Sequence, residues 1–275
     1  MKRDDLLAKL IEELRAKYGK GSIGPGADVK SPARLPTGVR VLDEVLGGGW
    51  PQGRISEVWG PQGAGKSTLC LAAVAAAQAT KKGDVVWFDQ ENTFEPSWAK
   101  LMGVDLARLI HAGPMAGEDA ADLALQYIRA QVPLVVVDSV IEMIPEKELL
   151  RGSGEESVGT VARLLARWLP KVVVLQGKSP TVVLLVNQVR DRIGFFFGET
   201  ERAPGGHTLA HLDSVRLKVH RRGWLKERDK KVGYTLAFKV VKSKVGGETR
   251  EGRVDVNFEK GIVEHAGEIE EETEE

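Results

Sequence analysis

One cysteine, Cys70, stands alone among 275 residues. Its isolation excludes an internal disulfide and a cysteine-built zinc site, suits a reducing cytosol, and leaves the thiol the role of a small buried apolar side chain. Long apolar runs are missing too. None reaches the length of a membrane span, and Met1-Lys-Arg-Asp-Asp5 has no apolar signal core behind it, so the sequence reads as cytoplasmic with no membrane partner. Net charge is also absent, with 39 basic residues against 39 acidic. The balance is uneven, because seven of the acids fall within residues 264–275. The remainder carries 39 basic against 32 acidic, about +7, a bias toward a polyanionic partner. There is no internal repeat. Length and a composition of 42% hydrophobic and 28% charged residues bound one large α/β domain with small appendages.

What is present begins with Gly60, Pro61, Gln62, Gly63, Ala64, Gly65, Lys66, Ser67 and Thr68, directly after the apolar run 55–59. These residues fit G-x-x-x-x-G-K-[ST], the phosphate-binding P-loop. Gly60, Gly63 and Gly65 let the backbone curl so that successive N–H groups point into one cavity and hold anionic oxygens. Lys66 sets an ammonium against the β- and γ-phosphates, and Ser67 offers a hydroxyl to Mg²⁺. Strong helix formers follow over 69–78, turning a positive helix end toward the phosphates. The bland reading is a glycine-rich turn between strand and helix; it leaves the Lys66-Ser67 pair unexplained.

Along the chain, Leu6, Leu7, Leu10, Ile11 and Leu14 recur at helical spacing over 4–18. A glycine-rich linker comes next, so this helix docks on another subunit or packs on its own domain. Residues 35–46 read as a turn and a short amphipathic helix. The runs 85–89, 134–138 and 181–188 read as strands, and 98–109, 118–130 and 157–169 as helices. Strands alternating with helices imply a parallel sheet covered on both faces, with the ligand beyond the strands' carboxyl ends. After residue 210 the pattern changes: 214–220 and 233–242 alternate like antiparallel strands joined by a basic turn at 221–231. The expected division is an N-terminal helix and linker at 1–34, an ATPase core at 35–263 and an acidic, unstructured tail at 264–275.

Several residues carry chemistry beyond the loop. Asp138, closing a run of four apolar residues, is the natural acid to hold Mg²⁺ beside Ser67. Glu91 at the end of Asp89-Gln-Glu would orient or deprotonate the attacking water; spacing alone fits a solvated loop glutamate equally. Gln188 ends another strand, where its amide would meet the γ-phosphate. The segment 189–206 holds Arg190, Arg192, Phe195, Phe196, Phe197, Arg202, Gly205 and Gly206. It suits a loop that meets nucleic acid with arginines for phosphates and apolar side chains beside bases, or else a hydrophobic loop buried against a neighbour. Arg151 opens a second glycine-rich loop, with Arg163 and Arg167 on the helix behind it, gripping phosphates or forming a solvated face. Lys242 and Lys244 complete a phosphate site or are surface lysines.

In order and spacing these pieces resemble the bacterial RecA recombinase family. The resemblance rests on Lys17-Tyr-Gly-Lys-Gly-Ser-Ile23, Leu35-Pro-Thr-Gly38, the stretch 53–68, Val135-Val-Val-Asp-Ser139, Asn187-Gln-Val-Arg190 and Lys239-Val-Val-Lys-Ser-Lys244. It implies a RecA-like α/β core with an N-terminal polymerisation helix and a C-terminal antiparallel edge. ATP and Mg²⁺ would sit between adjacent subunits of a helical filament on single-stranded DNA, which is tested against duplex DNA. By resemblance Glu91 is the catalytic glutamate and Gln188 the γ-phosphate sensor. The segments 151–159 and 190–206 match the two DNA-binding loops. Trp98 and Phe258 match aromatic positions flanking adenine, with Glu95 at its edge, and Lys242 and Lys244 reach the neighbour's γ-phosphate. Ala210 and His211 depart from the family's lysine and phenylalanine in the segment that carries the ATP signal. The match ends near Ile262, short of the family's folded C-terminal domain, as in a minimal, virus-encoded or accessory version. Two other classes remain open on the sequence: a ring motor built on the same core, and a regulator that binds ATP without hydrolysing it.

Overall fold

A computed structural model describes residues 3–19, 23–80, 83–151, 159–191, 201–202, 206–246 and 250–265. Arg192, Phe195, Phe196, Phe197, Gly205, the tail beyond His265 and most of the loop at 151–159 lie outside the described residues. The chain opens with helix α1 (Arg3–Tyr18), which has Asp4 and Asp5 in its first turn and Arg15 and Lys17 in its last, matching the helix dipole. Leu6, Leu7 and Leu10 are 58%, 54% and 47% exposed, and no described residue of α1 joins either hydrophobic core. Arg15 anchors the linker after α1, donating to the Ile23 carbonyl at 2.8 Å and lying 3.8 Å from Asp28.

Next, β1 (Arg34–Leu35) and β2 (Trp50–Pro51) pair across α2 (Arg40–Leu46). The half that carries the P-loop then alternates strand and helix. It runs β3 (Ile55–Gly60), α3 (Lys66–Ala79), β4 (Val85–Asp89), α4 (Pro96–Leu101), β5 (Leu109–Ala112), α5 (Gly117–Arg129), β6 (Leu134–Asp138), α6 (Glu146–Leu149), α7 (Thr160–Gln176) and β7 (Val182–Gln188). A small pair, β8 (Arg190–Asp191) with β9 (Glu201–Arg202), precedes α8 (Gly206–Leu212). Strands β10 (Val215–Glu227), β11 (Lys230–Ser243), β12 (Glu251–Asn257) and β13 (Gly261–Glu264) finish the chain.

Nine strands form one sheet in the order β13-β12-β11-β10-β3-β7-β6-β4-β5. Strands β10, β3, β7, β6, β4 and β5 are parallel, and β11 to β13 add an antiparallel edge. The central strands are buried on both faces, which is why they read as unbroken apolar runs. Leu69 and Val74 of α3 pack with Val136, Val186 and Leu236 of the sheet on one face; Ile55, Val137, Leu185, Leu125, Trp168 and Leu209 join the sheet to α5, α7 and α8 on the other. Cys70 is fully buried, as expected. No described helix is long and apolar enough to cross a membrane.

Three expectations need correction. The helix predicted at 98–109 ends at Leu101: Gly103 adopts φ 86°, the chain turns, and Leu109–Ala112 becomes the edge strand β5. The helix predicted to stop at 169 runs on to Gln176 through Pro170; both Pro170 and Ala166, whose carbonyl loses its amide partner there, are exposed. The basic turn predicted at 221–231 is mostly strand. Only Arg228 and Asp229 turn, both left-handed at φ 46° and 67°, as a two-residue hairpin requires.

Candidate functional site

The carboxyl ends of β3, β4, β6 and β7 lie side by side, so Gly60, Asp89, Asp138 and Gln188 fall along one edge of the sheet. Glycine is required at two points of the P-loop. A Cβ on Gly60 would collide with the Val219 carbonyl, and one on Gly65, at φ 92°, with Leu236 and the Tyr234 hydroxyl. Lys66 is buried and donates to the Gly60 and Pro61 carbonyls at 3.0 and 2.7 Å. Burial pulls its ammonium below the usual lysine range, against the attraction of Asp138 and Glu91.

Ser67 Oγ donates to Asp138 Oδ2 at 2.6 Å. Burial pushes the Asp138 carboxyl up to about 6; the Ser67 hydrogen bond and Lys66 oppose this, and Glu91 and Asp89 reinforce it. Two hard oxygens in contact at the foot of a phosphate loop fit Mg²⁺, which keeps most of its ligands as water and phosphate oxygen. A divalent cation there would also relieve the crowding of Asp89, Glu91 and Asp138.

Glu91 is placed by its neighbours. Its amide and that of Gln90 reach the Asp138 carbonyl at 3.4 and 2.7 Å, tying this turn to β6. The buried Asp89 carboxylate accepts from the Thr93 and Phe94 amides, both at 3.0 Å, and fixes the turn. Gln188 Nε2 then donates to Glu91 Oε1 at 2.6 Å. Two residues singled out separately from the sequence are thus in contact, each at the end of its own strand.

Beside the loop, Trp98 Nε1 donates to Thr68 Oγ1 at 3.3 Å. Glu95 caps α4 by accepting from the Ser97 amide at 3.0 Å; that bond holds its carboxyl below the usual range. Phe258, 45% exposed, lies 6.2 Å from the Tyr234 ring, whose hydroxyl comes up against Gly65 of the P-loop. Trp98 and Phe258 therefore both border the P-loop, one through Thr68 and the other through Tyr234. Nothing local in the sequence marks Tyr234, because only the β11 register brings it under the P-loop. Arg221, beside Gly63, rests 4.1 Å from the Trp224 ring, with Lys231 at 4.2 Å.

Lys242 and Lys244 are elsewhere. Lys242 pairs with Arg216 on β10, and Arg216 with Glu57 on β3, three residues before Gly60. At about 3.3 Å per residue that places Lys242 roughly 10 Å back along the strand direction, and Lys244 farther, from the chain's own cradle. Along this row Arg216 Nε lies 2.5 Å from Glu57 Oε2, and Asn187 Nδ2 donates to Glu57 Oε1 at 2.8 Å. Glu57 is fully buried; a lone acid inside an apolar strand demands a partner, and that was the signal available in the sequence.

Of the residues read as DNA contacts, Arg151 and Arg163 line one cavity of about 430 Å³ between α5, α6 and α7, with Arg167 and Lys171 beside them and Glu118 and Asp122 opposite. Arg190 and Arg202 pair in the β8–β9 ladder, and Gly206 begins α8.

A family model described as the RecA N-terminal domain matches residues 5–263. The chain is similar to Protein RecA of Acholeplasma laidlawii, 37% identical over 273 residues that cover 98% of this chain and 82% of the relative. It is also similar to Protein RecA of Bacillus subtilis, 37% identical over 265 residues (94% and 76%), and to that of Cereibacter sphaeroides, 38% identical over 268 residues (95% and 78%).

Proposed function

Because the chain belongs to the RecA family of recombinases, we propose that it is a DNA-dependent ATPase acting in homologous recombination and repair. It would assemble with ATP and Mg²⁺ on single-stranded DNA as a filament and test the bound strand against duplex DNA. The observation that carries this reading is the division of the site. One end of the sheet holds the P-loop, the Ser67–Asp138 pair and the Gln188–Glu91 pair, while Lys242 and Lys244 belong to a row well behind it. A cradle at one end and lysines at the other suit a nucleotide held at a seam between copies, a head-to-tail contact that propagates as a helix.

In this mechanism the P-loop amides and Lys66 hold the phosphates, Ser67 and Asp138 hold Mg²⁺, and Trp98 and Phe258 flank the base with Glu95 near its edge. Bound there, Mg²⁺ neutralises charge that develops on the transferred phosphoryl group. Glu91 takes a proton from, or aligns, the attacking water, and Gln188 reports on the γ-phosphate through its contact with Glu91. Lys242 and Lys244 of the next copy supply the positive charge that an arginine finger gives elsewhere. The exposed leucines of α1 pack on an adjacent subunit, residues 35–263 form the ATPase core, and the acidic tail competes with DNA for the basic surface.

Electron microscopy with single-stranded DNA and a non-hydrolysable ATP analogue tests the assembly. Helical filaments are expected; closed rings would replace this reading with a ring motor, and lack of any DNA-stimulated hydrolysis would favour the regulator. For the DNA contacts, Arg163→Ala is expected to weaken single-strand binding across sequences. The slope of log affinity against log salt should shrink by about 0.7, one phosphate contact on single-stranded nucleic acid. An unchanged slope in a fluorescence-anisotropy series would remove Arg163 from the interface.

A further inference from the structure

The two lysines read as crossing the seam are already occupied within their own chain. Lys242 Nζ donates to the carbonyls of Ala210, Asp213 and His211 at 2.5, 2.9 and 3.3 Å, and to the Asp213 carboxylate. Lys244 donates to the His211 carbonyl. These acceptors sit at the carboxyl end of α8 or just beyond it, where carbonyls without helical partners gather negative partial charge. Asp213 is the formal charge among them and is fully buried. Its Oδ2 lies 3.3 Å from Arg216 Nε, so the contact continues through Arg216 and Glu57 to Asn187, one residue before the Gln188 that touches Glu91.

We propose that Asp213 is a positioning residue that clamps Lys242, and with it Lys244, against the end of their own α8 in the unassembled chain. Both lysines must be withdrawn before they reach a neighbour's phosphates. The inference rests on the trans placement of the lysines, although the clamp itself is observable without DNA or ATP. The ammonium stays beside a carboxylate that matches it until a stronger anion, a polyphosphate across the seam, competes for it.

The charged groups facing Asp213 are Glu57 from β3, Arg216 from β10, and Lys242 from β11 with Lys244 just beyond its end. Burial pushes the Asp213 carboxyl up to about 7 and Glu57 adds to the rise, while the Lys242 hydrogen bond and the charges of Lys242 and Arg216 hold it down. Above that value the carboxylate is ionised and the clamp is closed; below it the acid is neutral and the charge–charge attraction is gone. The same raised value makes this group's contribution to folding stability complete below the ordinary carboxylate range and lost as pH rises through about 7.

Competitive acylation of the full chain without DNA, read residue by residue by mass spectrometry, tests the clamp. Lys239, half exposed in a surface pair with Glu251 at 3.7 Å, serves as the internal reference. At pH 8 Lys242 is expected to react about tenfold more slowly than Lys239, as a charge-assisted hydrogen bond would impose. That difference should shrink several-fold as pH falls to 6, because Asp213 takes up its proton in that interval and leaves only the three backbone carbonyls to hold the ammonium. Asp213→Asn should give that smaller difference at every pH between 6 and 8, with no pH dependence of its own, while the Lys239 rate stays as it was. A ratio near one in the unaltered chain at pH 8, a ratio indifferent to pH, or a folded Asp213→Asn that protects Lys242 as fully as the unaltered chain does at pH 8 would each overturn the proposal. If the substituted chain unfolds and all lysines react together, the pH profile of the unaltered chain decides by itself. Absence of filaments on DNA would instead count against the proposed function and leave this measurement standing.

Discussion

Glu91→Gln is expected to bind ATP as tightly as the unaltered chain and to hydrolyse it about 10²–10⁴-fold more slowly, the range for loss of a positioned general base. The substitution keeps the side chain's shape, and the new amide retains an Oε1 to accept from Gln188, so the 2.6 Å contact survives while the carboxylate's capacity to take a proton does not. The backbone of residue 91 is held by the Asp138 carbonyl and by the Asp89 turn, neither of which involves the Glu91 side chain. Single-turnover hydrolysis with saturating single-stranded DNA separates the chemical step from binding. Turnover within a few-fold of normal would remove Glu91 from the mechanism.

Replacing Lys242 and Lys244 together by alanine is expected to lower DNA-dependent hydrolysis by about 10³–10⁵-fold, as loss of a trans-acting finger does, and to leave nucleotide binding by the dispersed chain unchanged. The second half of the expectation comes from the roughly 10 Å that separates the Lys242 row from Gly60 along the strand. Mixing this variant with Glu91→Gln makes the stronger test. Each preparation alone is inactive, but a seam with an intact Glu91 on one side and intact lysines on the other is whole again. Partial recovery on mixing is expected for a head-to-tail interface. No recovery, or a binding defect in the dispersed lysine variant, would place the lysines in their own chain's site.

The cradle is legible in the sequence because its chemistry is local. Glycines at fixed offsets, a lysine, a hydroxyl and an acid closing an apolar run each announce themselves within a few residues, and parallel strands buried on both faces read as plain apolar runs. Other residues depend on register. Glu57, Arg216, Asp213 and Tyr234 gain their roles only when β10 lies beside β3 and β11 beside β10, pairings between residues up to 159 positions apart. Strand β5 escapes a sequence reading because three of its four residues are half-buried, which hides the alternation that marks a strand. The hairpin after Arg221 reads as a turn because its basic residues face solvent on paired strands, where charge says little about backbone shape.

The Trp98–Thr68 contact also gives the molecule an optical property. Of six tryptophans, Trp50, Trp59, Trp87 and Trp168 are buried at 0–7% exposure, away from changes in solvent. The other two, Trp98 and Trp224, both border the P-loop surroundings, one through Thr68 and the other through Tyr234 and Arg221. A change in intrinsic fluorescence on filling of the cradle is therefore expected to come from Trp98 and Trp224. Filling of the site is open to titration with an ordinary fluorimeter, with no dye attached and no residue changed.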